Sequence, residues 1–192
     1  MKKLHDFSEV FDGQKVFRKL LEALSNPGRT VSIAEQAEKM YGDNKVFLAL
    51  AMTVLDNEVS FCACGNKELA ENISLLTLSK ELALEEADFI FVEKEDQLAE
   101  VFEKAKGGTL ADPQKSATIM IKTQENKEKK WNIYGAGVDG TLALTVPNAA
   151  YEAMELRDVQ HYEYPQGVDM VFVTDYGELF AIPRLVLRKE EQ

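Results

Sequence analysis

The chain is short of cysteine, arginine, histidine, proline and long apolar runs, and each shortage removes a class of protein. Its only cysteines, Cys62 and Cys64, are two residues apart, too few for a disulfide framework. Read as part of a strand from Val59 to Cys64, they point to one face without the geometry for an easy bridge, as buried thiols in a reduced, cytoplasmic protein. Neither His5 nor His161 stands at metal-ligand spacing from a cysteine, so no metal is expected. His161, among Tyr162, Glu163 and Tyr164, has no partner at a recognised catalytic spacing. No run approaches the roughly 18 apolar residues of a membrane helix. The N-terminal lysines Lys2 and Lys3 lead into Asp6, Glu9 and Asp12, not into the apolar stretch of a signal peptide. Basic residues number 22 against 33 acidic ones, a net charge of −11 that opposes nucleic-acid binding.

What is present is an ordinary globular composition, 45% hydrophobic and 29% charged over 192 residues, which fits one domain over 1–192. Phe17, Leu20, Leu21 and Leu24 recur at helical spacing after Asp12-Gly13, and Ser25-Asn26-Pro27-Gly28 ends that helix. A short strand at 29–33, a polar stretch, and an apolar helix at 45–55 capped by Asn44 follow. The segment 66–81 reads as a helix, 88–92 as a strand, and Leu98, Val101, Phe102 and Ala105 as the buried stripe of a further helix. Strands at 117–123 and 131–134, joined by the charged 124–130 segment, suggest a hairpin. Pro147 opens a helix with Ala150, Met154 and Val159 inward, and strands at 168–174 and 179–182 close the chain around Asp175-Tyr176-Gly177-Glu178. This alternation predicts an α/β fold, a single layered domain with a mixed sheet.

Gly135-Ala136-Gly137-Val138-Asp139-Gly140 satisfies the dinucleotide-loop pattern literally. Its context does not, because the β-prone stretch 141–146 and Pro147 follow where a long helix should start. A glycine turn permitting close packing or ligand approach is the better reading. The arginines are Arg18, Arg29, Arg157, Arg184 and Arg188, five in all, and arginine is the side chain that grips phosphate or carboxylate with fixed geometry. Arg184 follows Pro183, which stiffens the strand exit, whereas Arg18 sits on the polar side of the first helix. Asp169, just after Gly167, is the one carboxylate of an apolar strand. It either satisfies loop amides or takes part in catalysis.

Phe17 to Gly28, Gly135-Ala136-Gly137-Val138, Tyr164 to Val173 and Ala181-Ile182-Pro183-Arg184 together, in this order and spacing, resemble the motifs of the PhnH family, the H subunit of the bacterial carbon–phosphorus lyase system. The resemblance is clearest over 17–184 and loose between Ala34 and Lys106. Two positions depart from the family pattern: Leu185-Val186 stand where Ser or Thr often follows Pro-Arg, and Gln166 where an aliphatic residue is common. The resemblance implies a cytoplasmic subunit that works with G, I and J partners in phosphonate catabolism and forms a homodimer. The step it supports, attributed to the G, H, I and L subunits, joins methylphosphonate to the ribose of ATP with loss of adenine, giving α-D-ribose 1-methylphosphonate 5-triphosphate. It implies a fold similar to the large domain of pyridoxal-phosphate-dependent transferases without the cofactor. No lysine stands in a phosphate-cup context, Lys115 and Lys122 being nearest, so no cofactor is expected. A phosphonate or nucleotide ligand would meet Arg18, Gly135, Gly137 and Arg184, with Asp169 and Arg184 as catalytic candidates. Two alternatives remain: a self-sufficient small transferase, or a nucleotide- or phosphonate-binding module, using Arg18, Asp169 and Arg184.

Overall fold

A computed structural model describes residues 5–126 and 128–189. The N-terminal stretch Met1 to Leu4 and Lys127 of the charged 124–130 segment lie outside the described residues.

The first helix, α1 (Phe11–Ser25), begins slightly earlier than Asp12-Gly13. Its N-cap, Val10, offers no side-chain cap, but the preceding turn ties to the first helical residues: the Ser8 hydroxyl accepts from the Phe11 amide at 3.2 Å, and Asp12 accepts from the Ser8 amide at 2.9 Å. It ends at the predicted stop, with Gly28 at φ +78°. The buried stripe is Val16, Leu20 and Ala23, together with Asp12 and Gly13. Phe17 and Leu21, placed by their spacing on the inner stripe, are 51% and 54% exposed. The small residues Gly13 and Ala23 and the ion pair of buried Asp12 with half-buried Lys39 at 2.6 Å set the rotation of the helix, displacing these two large side chains outward.

After β1 (Val31–Ser32), the stretch read as polar contains a single helical turn, α2 (Ala34–Ala37). Helix α3 (Lys45–Val54) is buried from Val46 to Ala51 on every side, flanked by α1 and α4 over the sheet. Asn44 precedes it in a left-handed conformation without the predicted side-chain cap. Strand β2 (Ser60–Cys62) stops two residues short of Cys64. The predicted helix at 66–81 is α4 (Lys67–Thr77), capped by the Asn66 side chain on the Leu69 amide. Leu78, at φ +61°, ends it, and its last residues instead form β3 (Lys80–Glu81).

Next come β4 (Phe89–Val92), α5 (Leu98–Lys104), β5 (Thr118–Lys122), β6 (Lys129–Gly135), β7 (Leu142–Val146), α6 (Asn148–Val159), β8 (Asp169–Val173), β9 (Glu178–Ile182) and β10 (Val186–Arg188). Seven strands make a mixed sheet in the order β1-β9-β8-β5-β4-β2-β3. Strands β8, β5, β4, β2 and β3 are parallel, and β9 runs against both neighbours. Alternate side chains sort to two cores. Phe61, Phe91, Met120 and Val171 face α1 to α4, while Ile90, Ile119, Phe172 and Ile182 face α5, α6 and a second sheet.

That second sheet, β10-β6-β7, corrects the hairpin reading. Strand β5 pairs with β4 and β8, not with β6. Ile119, Met120 and Ile121 are buried on both faces, the pattern of a central parallel strand. Strand β6 buries Trp131 and Ile133 and exposes its flanks, so one side suffices. Helix α6 follows Pro147 with Ala150 and Met154 inward as expected, but Val159, expected inward, is exposed at its end.

Two carboxylates tie the layers together. Asp88 accepts from the Ser60 amide and hydroxyl at 2.8 and 2.7 Å and pairs with Lys106 at 2.5 Å. Burial pushes the Asp12 and Asp88 carboxyls up, but Lys39 with the Ser8 amide, and Lys106 with Ser60, outweigh it and hold both below the ordinary 3.8. The unfolded chain therefore binds these protons more tightly. The resulting stability is complete above the ordinary carboxylate value and is lost as pH falls through it towards the folded values. Urea midpoints recorded from about pH 5 down to about pH 2 are expected to fall, and the slope to flatten in Asp12→Asn with Asp88→Asn.

Candidate functional site

Asp169 and Arg184, singled out separately in the sequence, meet at the amino ends of the parallel strands. Asp169 opens β8, and its Oδ1 accepts the Arg184 backbone amide at 2.8 Å. The Arg184 Nη1 donates to the Pro113 carbonyl at 2.8 Å and to the Ser116 hydroxyl at 2.7 Å, and lies 3.8 Å from Asp169 Oδ2. Gly167, at φ +138°, allows this approach: a Cβ there would sit 3.1 Å from the Arg184 Cβ.

Arg184 borders a cleft of about 410 Å³ between the end of α6 and the corner from β9 to β10. Arg157, Arg188, His161, Tyr162 and Tyr164 also line it. Three of the chain's five arginines thus converge on one cleft. Arg157 is 4% exposed, and it donates to the Pro183 carbonyl at 3.3 Å and the Val186 carbonyl at 2.5 Å. Burial pushes its pKa down, against the fields of Asp158 and Asp169, yet a guanidinium remains charged. Arg188 is engaged by Glu155 and by Asp158, the latter at 3.3 Å. Burial pushes the Tyr162 phenol above its ordinary 10.0, against the opposing charge of Arg157, so it stays a hydrogen-bond donor. His161 is exposed, with φ +51°.

The cleft sets three arginines and Asp158 among aromatic and aliphatic walls, supplied by Tyr134, Tyr164 and Leu187. A second cleft, of about 260 Å³ at the carboxyl ends of β5 and β8, is lined by Glu38, Asp43 and Asp175 against Lys45 and Lys122. Its charge does not favour an anion.

Arg157 and Arg188 were missed as site residues in the sequence. The signal for Arg157 was available: it continues the inward spacing of Ala150 and Met154 along α6, and an arginine on a buried stripe needs a specific reason to be there. Arg188 carries no such local signal, since β10 exists only through pairing with β6.

Other predicted residues fall elsewhere. Arg18 lies on the exposed side of α1, makes no hydrogen bond or ion pair among the described residues, and does not line the cleft. Gly135 and Gly137 belong to the β6–β7 hairpin, so no helix start follows them. Gly135, at φ +122°, lies under the Leu185 carbonyl, which would be 2.3 Å from a Cβ. Gly137, at φ +80°, lies against Pro27 and Ser25, at 3.0 and 3.1 Å from a Cβ. The Gly28 amide donates to the Ala181 carbonyl at 3.0 Å. The four sequence motifs therefore form one packed joint behind the cleft.

Fold and cleft define an α/β protein with a mixed seven-stranded sheet, a small second sheet, and three of its five arginines at one site. The chain belongs to the PhnH family, the bacterial phosphonate metabolism proteins, whose family model matches residues 6–187. It is 24% identical over 172 residues, 89% of this chain and 83% of its relative, to a putative C-P lyase subunit protein, HtxG, of Stutzerimonas stutzeri.

Proposed function

We propose that the chain is a subunit of a carbon–phosphorus lyase core complex acting with G-, I- and J-type partners. In this reading it supports transfer of an alkylphosphonate to the ribose of ATP with loss of adenine, and is itself mainly structural. The observation that carries the reading is the family match over 6–187, in a chain three of whose five arginines meet at one cleft. A single domain and a homodimer belong to the same reading. So does a cytoplasmic location, where ATP is the available co-substrate. Among the described residues no helix is long and apolar enough to cross a membrane.

The relation to the large domain of pyridoxal-phosphate-dependent transferases is also part of the proposal, supported by the seven-stranded mixed sheet with helices on both faces. A cofactor-free chain belongs to the same reading, and the two lysines nearest a phosphate-cup context are both engaged in ion pairs. Lys122 pairs with Asp175 at 2.7 Å and Glu93 at 3.6 Å, and Lys115 pairs with Asp112 at the surface. A Schiff base needs a free amine.

The test is release of adenine from ATP and methylphosphonate. No release is expected from the chain alone, and release from the reconstituted G, H, I and L set should be lost when this chain is omitted. Release by the chain alone would establish the self-sufficient transferase instead, with Asp169 and Arg184 as its catalytic candidates. The binding-module reading is favoured by the Arg184 cleft. Calorimetry with ATP and methylphosphonate should then show binding weakened about tenfold or more in Arg184→Ala, with Arg18→Ala, outside the cleft, unchanged.

A further inference from the structure

Helix α1 packs one side on α3 and β9, through Val16, Leu20 and Ala23, and among the described residues its other side is uncovered. Val10, Gln14, Phe17 and Leu21, spaced i, i+4, i+7 and i+11, run along that outer side, with Phe11 and Arg18 beside them. Val10 and Phe11 are each 73% exposed, more than Phe17 and Leu21. A surface helix ordinarily presents polar and charged groups there. The four large apolar side chains leave instead a strip of roughly 400–500 Å², of the size at which apolar patches mark interaction surfaces.

The fold makes no use of this strip. Ser25, Pro27 and Gly28, at the end of the helix, build the joint with Gly137 and Ala181, whereas Phe17, Arg18 and Leu21 of the same motif stand exposed. None of the six outer residues lines the arginine cleft, so loss of docking and loss of anion binding are separable.

The charge of the strip is opposite to that of the chain. Against a net charge of −11, the ionisable group of the strip is Arg18, which makes no hydrogen bond or ion pair among the described residues. Lys15 and Lys19, on the flank, are already engaged by Glu35 at 3.7 Å and Glu22 at 3.1 Å. Arginine and aromatic side chains carry a large share of binding energy where an interface desolvates them. Desolvating the guanidinium is offset only by a carboxylate on the other side. A second copy of this chain does not supply one, because a two-fold pairing sets the same patch on both sides and this patch contains no carboxylate.

We propose, resting on the reading of the chain as a complex subunit, that the outer face of α1 is the docking surface for a different subunit, one that offers an apolar groove to Phe11, Phe17 and Leu21 and a carboxylate to Arg18.

The test mixes the full chain with the reconstituted G-, I- and J-type subunits and reads association by calorimetry and by the mass of the complex. The unaltered chain is expected to join. Phe17→Ser and Arg18→Gln should each weaken association about tenfold or more, and Arg18→Glu about tenfold further, because a like charge then faces the partner's carboxylate. Leu110→Ser, which removes an exposed apolar side chain elsewhere, should bind as the unaltered chain does. The replaced side chains are exposed, and unchanged thermal midpoints check that the variants fold. Phe17→Ser and Arg18→Glu binding as well as the unaltered chain would overturn the proposal, and so would Arg18→Glu binding no more weakly than Arg18→Gln. Phe17→Ser halving the mass of the isolated chain would overturn it in favour of a second copy. An unaltered chain that joins none of the subunits defeats the subunit reading itself, and the docking with it.

Discussion

Arg157→Ala is expected to destabilise the folded chain by about 2–3 kcal/mol, read as a lowered urea midpoint at unchanged slope. The guanidinium is the hydrogen-bond partner of the Pro183 and Val186 carbonyls, in the corner that delivers Arg184 to the cleft. The Pro183 carbonyl keeps the Val186 amide at 3.0 Å, so the cost falls mainly on the Val186 carbonyl, about 1–3 kcal/mol for a buried acceptor that loses its donor, and loss of the buried aliphatic stem adds to it. Relief from burying a charge offsets part of this. The carbonyls are main-chain groups that no substitution removes, so the loss prevails. Arg157→Met separates the contributions: it keeps the stem, and is expected to recover only part of the stability. A midpoint equal to that of the unaltered chain in both variants would show that water satisfies the corner equally well.

Gly135→Ala is expected to be more damaging, about 3–4 kcal/mol. Two penalties combine. A φ of +122° is a conformation that L side chains rarely adopt, and the added Cβ would stand 2.3 Å from the Leu185 carbonyl oxygen. That oxygen is backbone and already accepts from the Ala136 amide, so it cannot swing aside without parting β10 from β6, where Val186 faces Gly135. Gly140→Ala supplies the comparison. Gly140 also has a positive φ, +68°, but nothing lies within 4 Å of its Cβ position, and the cost there should be only about 1 kcal/mol. Thermal unfolding of the two variants in parallel measures the difference, and equal losses would mean that the Leu185 contact contributes nothing. Because the same corner holds Arg184, Gly135→Ala is also expected to weaken whatever anion binding the cleft shows.

Elements with a long, regular pattern were legible in the sequence. Helix α3 shows in its unbroken apolar run, α6 in Pro147 with Ala150 and Met154, and the β8–β9 hairpin in two apolar strands about a four-residue turn. Strands β3 and β10 were not, because two or three residues carry no period and exist only by pairing with β2 and β6. The site was half legible. Arg184 and Asp169 were conspicuous as charges at the ends of apolar strands. Arg157 was hidden within a helix, and Arg18, equally conspicuous, turned out to lie on another surface.

The sequence by itself determined that this is an acidic α/β chain with few arginines, and the order of its four motifs is that of a phosphonate family. Local composition and periodicity suffice for that, because they act between residues a few positions apart. Tertiary structure decided which strand pairs with which, how α1 is rotated, and that arginines 157, 184 and 188 share one cleft. It also decided that the chain leaves β2 at Cys62, with Cys64 in a left-handed turn instead of lying along the strand. These outcomes depend on burial shared between distant segments: the two-faced apolar surface of β5 draws it between β4 and β8, leaving β6 to build the second sheet that closes the arginine corner.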